Sequence, residues 1–197
     1  MSQVTAMTSE IEFQSSSTPI FWGEIAPCDH IAQFYENDDV LLDTLFGFVD
    51  GGLTRGESTI VIATPDHLEA LELRLAASSG ELVAALIEDR YIALDASDAL
   101  NSFMVNHWPD DQLFTGFVSD LLQRARVKGT RVRAFGEMVA LLWARGETGA
   151  TVRLEHLWQR FCRSQSFSLF CAYPKGGFTK DPTKSMAEIC AAHSRFV

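Results

Sequence analysis

The sequence has little positive charge, few cysteines and no long apolar run. Its 16 lysines and arginines stand against 26 aspartates and glutamates, which gives a net charge of −10. A duplex nucleic acid or an anionic membrane would need a basic face, so this charge disfavours both as partners. No stretch approaches the roughly 20 apolar residues that span a bilayer, and no secretory signal pattern opens the chain. We therefore expect a cytoplasmic protein that contacts neither nucleic acid directly nor a membrane.

Motifs for metal binding and catalysis are also missing. The four cysteines are widely separated without a CxxC pair, which predicts reduced thiols that mostly fill the core. The five histidines show no HxH or HExxH spacing, and Cys190 with His193 is too weak a pair to indicate zinc. No GxSxG segment marks a nucleophile. These absences predict no metal site and no cofactor, and they favour a protein that is not an enzyme.

The order of the apolar segments predicts the fold. Residues 1–19 are rich in serine and threonine and predict a mobile tail, whereas residues 20–197 predict one domain. Apolar stripes with a helical period, one of them across residues 100–107, lie between five predicted strands. The alternation predicts an α/β fold, a three-layer α/β/α sandwich around a mostly parallel five-stranded sheet. The strands are His30–Tyr35, Thr59–Ala63, Tyr91–Asp95, Arg131–Phe135 and Phe167–Tyr173.

Glu137 is the most informative candidate for a functional residue. It follows the fourth predicted strand, and open parallel sheets bind ligands beyond the carboxyl ends of their strands. Its neighbours Phe135 and Met138 predict a desolvated carboxylate, which needs a partner. Glu137 could bind a ligand or a cation or act as a base. It could equally pair with Arg133 or lie in the first turn of the next helix.

Other polar side chains follow the same strand ends. Two tyrosine hydroxyls could point into a common crevice above an apolar floor, or close the rim of the core. His67 could titrate in that crevice or be a solvated residue of a first helical turn, and His30 could be a buried core residue. The predicted ligand-binding residues are Tyr35, Glu36, Thr64, His67, Glu137 and Tyr173, with His30 and Arg133 as secondary candidates.

The segment after the first strand is not a phosphate loop. A GxxxxGK[ST] loop needs glycines and a lysine around the phosphates, but Tyr35–Val40 has neither and carries three carboxylates. Hydrolysis of ATP or GTP is therefore not expected there, and Asn37 or Asp38 is expected to cap the following helix. The one basic cluster could bind an anion or be a solvated helix end and loop. It comprises Arg124, Arg126, Lys128, Arg131 and Arg133.

Several segments, in order, resemble the MEDS domain (methanogen/methylotroph, DcmR sensory domain). FGEMVALLW and CAYP are the most specific of them. The segments are HIAQFYEND from His30, GLTRGESTIVIATPDHLEAL from Gly52, FMVNHWPD from Phe103, VRAFGEMVALLWARGE from Val132, LEHLWQRF from Leu154 and FSLFCAYP from Phe167.

This resemblance implies a sensory module of transcription regulation or of signalling beside kinases. It also implies a RecA/KaiC-like fold without the phosphate loop, with strand order 3-2-4-5-1 and Glu137 at the acidic position of the fourth strand. The expected function is to bind a small ligand at the strand ends and to regulate a partner, such as a kinase or transcription regulator. Such a module could also act as a homodimer. A ligand-free protein-interaction scaffold is the alternative function, and a cryptic nucleotide-binding protein or a hydrolase with Glu137 as base is a third hypothesis.

Overall fold

A computed structural model describes residue 22 and residues 25–78, 80–126, 131–175, 187 and 189–197. The predicted tail (1–19) lies outside these residues, as does Lys128 of the basic cluster. The helices are α1 (Asp38–Leu53), α2 (Pro65–Ser78), α3 (Glu81–Ile87), α4 (Ala96–Asn101), α5 (Asp111–Ala125), α6 (Met138–Ala144) and α7 (Thr148–Gln165). The strands are β1 (His30–Tyr35), β2 (Ser58–Ala63), β3 (Tyr91–Asp95), β4 (Met104–Val105), β5 (Trp108–Pro109), β6 (Val132–Gly136), β7 (Ser168–Pro174) and β8 (Arg195–Phe196).

The main sheet has six strands in the order β3-β2-β6-β7-β1-β8, and every pair within it is parallel. The predicted α/β class with a parallel sheet is confirmed. The observed order differs from the predicted one by an additional member, because the short strand β8 pairs with β1 at the edge. Its two residues are too few to give a periodic pattern in the sequence.

Helices cover both faces of the sheet. Buried side chains of α1, α2 and α3 pack on one face, and those of α4, α5, α6 and α7 pack on the other. The middle strand β7 is apolar on both faces because each face meets a helical layer. Phe170 faces the first layer, whereas Leu169, Cys171 and Tyr173 face the second. Successive side chains of one strand therefore belong to different cores.

Local capping fixes where two helices begin. The side chain of Asn37 accepts a hydrogen bond from the Val40 N–H at 3.1 Å, which confirms it as the cap of α1. Asp110 accepts from the N–H groups of Gln112 and Leu113 at 2.9 Å and starts α5 in the same way. The polar segment after β1 thus caps the amino end of the helix that follows it.

The helix predicted across residues 100–107 is wrong. Helix α4 ends at Asn101, and β4 and β5 then form a short antiparallel hairpin. Asn106 and His107 at its turn have φ values of 49° and 63°, the left-handed conformation that a type I′ two-residue hairpin turn requires at both positions. The apolar spacing had matched a helix by coincidence. Trp108 is half exposed on this hairpin, whereas Trp143 and Trp158 are buried in the core.

Among the described residues, no helix is both long enough and apolar enough to cross a bilayer. All four cysteines are free.

Candidate functional sites

The strand-end site is built around Glu137, where β6 ends and α6 begins. The side chain is buried, and both of its oxygens are engaged. Oε2 accepts a hydrogen bond from the Thr64 N–H at 2.8 Å, and Oε1 lies 2.9 Å from Nδ1 of His67. Strands β2 and β6 are parallel neighbours with Ile62 opposite Gly136, so the residues that follow the two strands must meet. The alternative pair of Glu137 with Arg133 is not formed, because Arg133 bonds to Glu57.

His67 connects the buried carboxylate to the surface. Its other ring nitrogen, Nε2, lies 3.6 Å from Oδ1 of Asp38, whose side chain is 70% exposed, while the His67 side chain is 12% exposed. The hydrogen bond to Glu137 raises the pKa of His67 against the opposing effect of burial. Burial, together with the nearby Glu137 and Asp38 charges, raises the pKa of Tyr35. The two neighbouring carboxylates favour the protonated form of His67, which can donate from both nitrogens.

The structure separates the two predicted crevice tyrosines. Tyr173 is the register partner of Phe34 on β1, and the two rings stack with centroids 5.5 Å apart. Tyr35 is the next residue of β1 and points to the other face. Thus Tyr35 and Tyr173 do not line one crevice, and Tyr173 is fully buried on the far side of the sheet.

The remaining predicted residues lie in different surroundings. Thr64 joins the strand-end site through its backbone N–H. Glu36 is exposed and pairs with Lys175 at 2.8 Å. Arg133 lies near the amino end of β6 and donates to the carbonyl groups of Phe48 and Trp22 at 3.1 and 2.9 Å. The structure therefore brings Tyr35, Thr64, His67 and Glu137 together, and it places Tyr173, His30 and Arg133 elsewhere.

A second site lies inside the protein and is here named the buried polar cluster: His30, Glu155, Cys171, Tyr173 and His193. The hydroxyl of Tyr173 donates to Oε1 of Glu155. Nε2 of His30 lies 3.3 Å from Oε2 of Glu155 and 3.4 Å from Sγ of Cys171. Nε2 of His193 lies 3.5 Å from the same glutamate oxygen. Four titratable groups and a phenol thus share one enclosed space.

Burial opposes charge at four members of this cluster. It raises the pKa of Glu155 and of the Cys171 thiol. It also lowers the pKa of His30, with a further contribution from the neighbouring His193. Burial is the first cause of the raised pKa of Tyr173, and the Glu155 charge adds to it. Charged forms are therefore retained in this cluster only if a partner compensates their lost hydration.

The cluster as a whole was missed from sequence. His30 was considered as a ligand-binding or a buried core residue and is buried, whereas Tyr173 was expected at the strand-end crevice or the rim of the core. Its members come from β1, α7, β7 and the segment before β8, so no short motif unites them. One local signal existed on α7. Glu155 falls on the same helical stripe as Thr151, Leu154 and Trp158, and a carboxylate within an otherwise buried stripe indicates a partner inside the core.

One protein-family model matches a range of residues that includes both sites. The family model for MEDS, described as MEthanogen/methylotroph, DcmR Sensory domain, matches residues 29–194. The chain belongs to the MEDS family. The matched range extends from just before His30 to just after His193, so the strand-end site and the buried polar cluster are both parts of the MEDS domain. No curated protein matches this chain. The resemblance seen in the sequence segments is thereby confirmed, and the family is described as sensory.

The His67–Glu137 pair of the MEDS domain predicts a pH-dependent stability. Because the pKa of His67 is raised above its usual 6.5 on folding, its contribution is complete below pH 6.5 and is lost as the pH rises through the folded-state pKa. The free energy of unfolding of the wild-type protein should therefore exceed that of His67→Gln by about 1 kcal/mol near pH 6. The difference between the two free energies should be smaller near pH 9. Urea unfolding at both pH values measures the difference. The matched control is His107→Gln, whose side chain is 90% exposed. A margin that grows with pH would contradict the assignment.

Tyr173→Phe should lower the free energy of unfolding by about 1–3 kcal/mol, because it leaves a buried glutamate oxygen without its donor. A double-mutant cycle with Glu155→Leu isolates this interaction, because leucine removes the accepting oxygen. The two substitutions should be non-additive by at least about 0.5 kcal/mol. Additive effects would mean that the Tyr173 hydroxyl does not bond to Glu155.

Proposed function

We propose that this MEDS domain is a cytoplasmic sensory module that binds a small organic ligand at the strand-end site and regulates a partner protein in transcription or two-component signalling. The observation that supports the proposal is the Asp38–His67–Glu137 chain at the carboxyl ends of β2 and β6. It joins a buried carboxylate to the surface through a titratable ring. Parallel sheets bind ligands at this edge.

A ligand at this site can act on helix α2. His67 lies in the first turn of α2, so its bond to Glu137 ties the start of that helix to β6. Along the rest of α2, only Leu71 and Leu75 are buried. A helix with few buried contacts belongs to the less stable parts of a fold. A ligand that takes the place of either partner in the His67–Glu137 bond would release the start of α2 from β6. It would thereby shift the population between two positions of α2.

The charges around the site limit the ligand. Glu36 and Asp39 pair with Lys175 and Arg74, whereas Asp38 follows β1 beside His67 and Asp66 precedes His67. The Asp38 and Asp66 carboxylates repel anions, so a neutral or cationic molecule with a hydrogen-bonding group is favoured. The same argument disfavours a nucleoside triphosphate, whose phosphates would meet negative charge without a phosphate loop.

Native mass spectrometry of the purified full chain, followed by analysis of the denatured extract, tests the proposal. A molecule released only on denaturation should raise the melting temperature of the wild-type protein when it is added back. Glu137→Gln and His67→Gln should lose this response, whereas the exposed-residue control His107→Gln should keep it. Hydrogen exchange should change in α2 on binding. If both variants of the pair retained binding and signalling, the strand-end site would not be the sensor.

A ligand-free interaction scaffold is the second candidate. The observation that favours it is the apolar surface on α2 and α3: Leu73 is 67% exposed, Val83 60%, Leu86 53% and Ile87 81%. Exposed apolar side chains in proximity indicate a protein contact. A protein that carries no small molecule, and whose partner binding is abolished by Ile87→Asp but not by His67→Gln, would identify the scaffold.

A further inference from the structure

Four side chains of the buried polar cluster present metal-ligand atoms to one point. They are His30, Glu155, Cys171 and His193, and one ligand atom from each lies within 4.8 Å of every other. His30, Glu155 and Cys171 are buried. His193 is half-buried as a whole residue, but its side chain is fully enclosed. They come from three secondary-structure elements and the segment before β8, so the fold itself gathers them.

The orientation of the histidine rings is that of metal ligands. Nδ1 of His30 lies 3.0 Å from the Ala192 carbonyl oxygen, and Nδ1 of His193 lies 2.6 Å from the Ile189 carbonyl oxygen. A carbonyl oxygen only accepts, so each Nδ1 carries the proton and each neutral ring has its lone pair on Nε2. Both Nε2 atoms face the same oxygen of Glu155. Metal-bound histidines are held by such bonds from the other ring nitrogen.

The distances between the ligand atoms fit tetrahedral coordination. Metal bonds of about 2.0–2.1 Å to nitrogen or oxygen and about 2.3 Å to sulfur place neighbouring tetrahedral ligands about 3.2–3.7 Å apart. The observed separations are 3.3 Å from His30 Nε2 to Glu155 Oε2, 3.5 Å from His193 Nε2 to the same oxygen, and 3.4 Å from His30 Nε2 to Cys171 Sγ. These three of the six separations are those of a tetrahedral site, and all six are within 4.8 Å.

Two of the ligand atoms have no hydrogen bond within the described part of the chain. They are Oε2 of Glu155 and Nε2 of His193, both enclosed and both directed at the cluster. A glutamate carboxylate and a cysteine thiolate would place two negative charges there, beside two neutral imidazoles. A divalent cation balances that charge and satisfies both open atoms. The neutral alternative instead keeps protons on Glu155 and Cys171.

We propose that His30, Glu155, Cys171 and His193 bind one divalent transition-metal ion of the zinc class. Mixed nitrogen, sulfur and oxygen ligands suit zinc or a similar borderline metal, whereas magnesium and calcium prefer oxygen alone. Binding displaces the thiol proton of Cys171 and any proton on Glu155 into solvent. The Tyr173 hydroxyl then orients the bound carboxylate through Oε1.

The ion has a structural consequence and a route of entry. His193 precedes β8, so a metal bond to its ring fastens residues 189–197 to β1 and β7. A cavity of about 160 Å³, lined in part by His30, Arg163 and His193, reaches the two histidines. Metal occupancy therefore controls how firmly the C-terminal segment is attached to the sheet. This proposal is independent of the strand-end site.

Cobalt and zinc titrations of the untagged full chain, freed of metal with a chelator, test the proposal. One equivalent of Co²⁺ should produce the sulfur-to-cobalt charge-transfer absorption and the intense visible bands of a tetrahedral complex. Cys171→Ser should remove the charge-transfer absorption, and Cys190→Ser, which changes a free thiol outside the cluster, should retain it.

His193→Gln should weaken zinc binding by more than the roughly 10–100-fold expected for Tyr173→Phe, which removes only a supporting bond. Zinc should also slow hydrogen exchange in residues 189–197.

X-ray absorption of the zinc-loaded wild-type protein needs no variant and covers the case in which a substitution prevents folding. One sulfur at about 2.3 Å and three nitrogen or oxygen ligands at about 2.0 Å would support the site. Zinc without sulfur in its coordination, or no stoichiometric binding at all, would overturn it. Binding that is unchanged in Cys171→Ser and His193→Gln would also overturn it, and would identify the cluster as a neutral hydrogen-bonded core.

Discussion

Arg133→Met is expected to lower the free energy of unfolding by about 3 kcal/mol or more, because it leaves a shielded carboxylate without its cation. The Arg133 side chain is 3% exposed and forms an ion pair with Glu57, whose side chain is 12% exposed. Its other guanidinium nitrogens donate to the Phe48 and Trp22 carbonyl groups. Gly52 leaves the necessary space, since a Cβ there would stand 3.0 Å from Cδ of Arg133.

Urea unfolding of three variants separates this structural role from ligand binding. The double variant Arg133→Met, Glu57→Leu should recover much of the loss, because no buried charge is then left unpaired. Arg133→Lys should recover little, since an ammonium group cannot donate in the same planar arrangement. If Arg133→Met kept normal stability but lost the ligand response, Arg133 would be a binding residue, as the sequence suggested, and the structural assignment would fail.

Phe170→Ala is expected to cost about 3–5 kcal/mol of unfolding free energy, the range for truncating a buried aromatic side chain. Phe170 lies on β7 in the middle of the sheet and is fully buried. Its ring centroid lies 5.2 Å from that of Phe135 and 5.4 Å from that of Phe48. The substitution opens a cavity between β6, β7 and α1. None of these three elements can move inward by itself to fill it.

The matched control for this substitution is Phe196→Ala. Phe196 lies on the edge strand β8 and is 43% exposed, so its loss should cost less than about 1 kcal/mol. Chemical unfolding followed by tryptophan fluorescence measures both variants, with circular dichroism as a second probe. Equal losses for the two variants would mean that β7 is not the centre of the sheet.

The two candidate sites lie in different parts of the sheet, so the proposal for each can be tested separately. The strand-end site joins the carboxyl ends of β2 and β6, on the face that α1 and α2 cover. The buried polar cluster lies on the other face, between β1, β7 and α7. Glu137→Gln should lose the ligand response and keep metal binding, whereas Cys171→Ser should lose metal binding and keep the ligand response. If one of these expectations failed, the test of the other site would be unaffected.

The sequence by itself determined the α/β class, the position of the long strands and the location of Glu137 at the end of a strand. Short continuous apolar runs separated by helical stripes permit few other folds, because each run must be covered on both faces. Glu137 was identifiable because it follows a strand directly, and strand carboxyl ends converge whatever the details of packing. The same local information located the Asn37 cap, which depends only on neighbours three residues away.

Only the tertiary structure decided which polar side chains meet. Tyr35 and Tyr173 both end strands, but alternation along neighbouring strands sends them to opposite faces of the sheet. His30 and Glu155 are 125 positions apart in the sequence and 3.3 Å apart in space, because parallel pairing of β1 and β7 and the packing of α7 bring them together. A local pattern carries periodicity and strand ends, whereas a cluster drawn from four separate segments exists only after the sheet order and register are fixed.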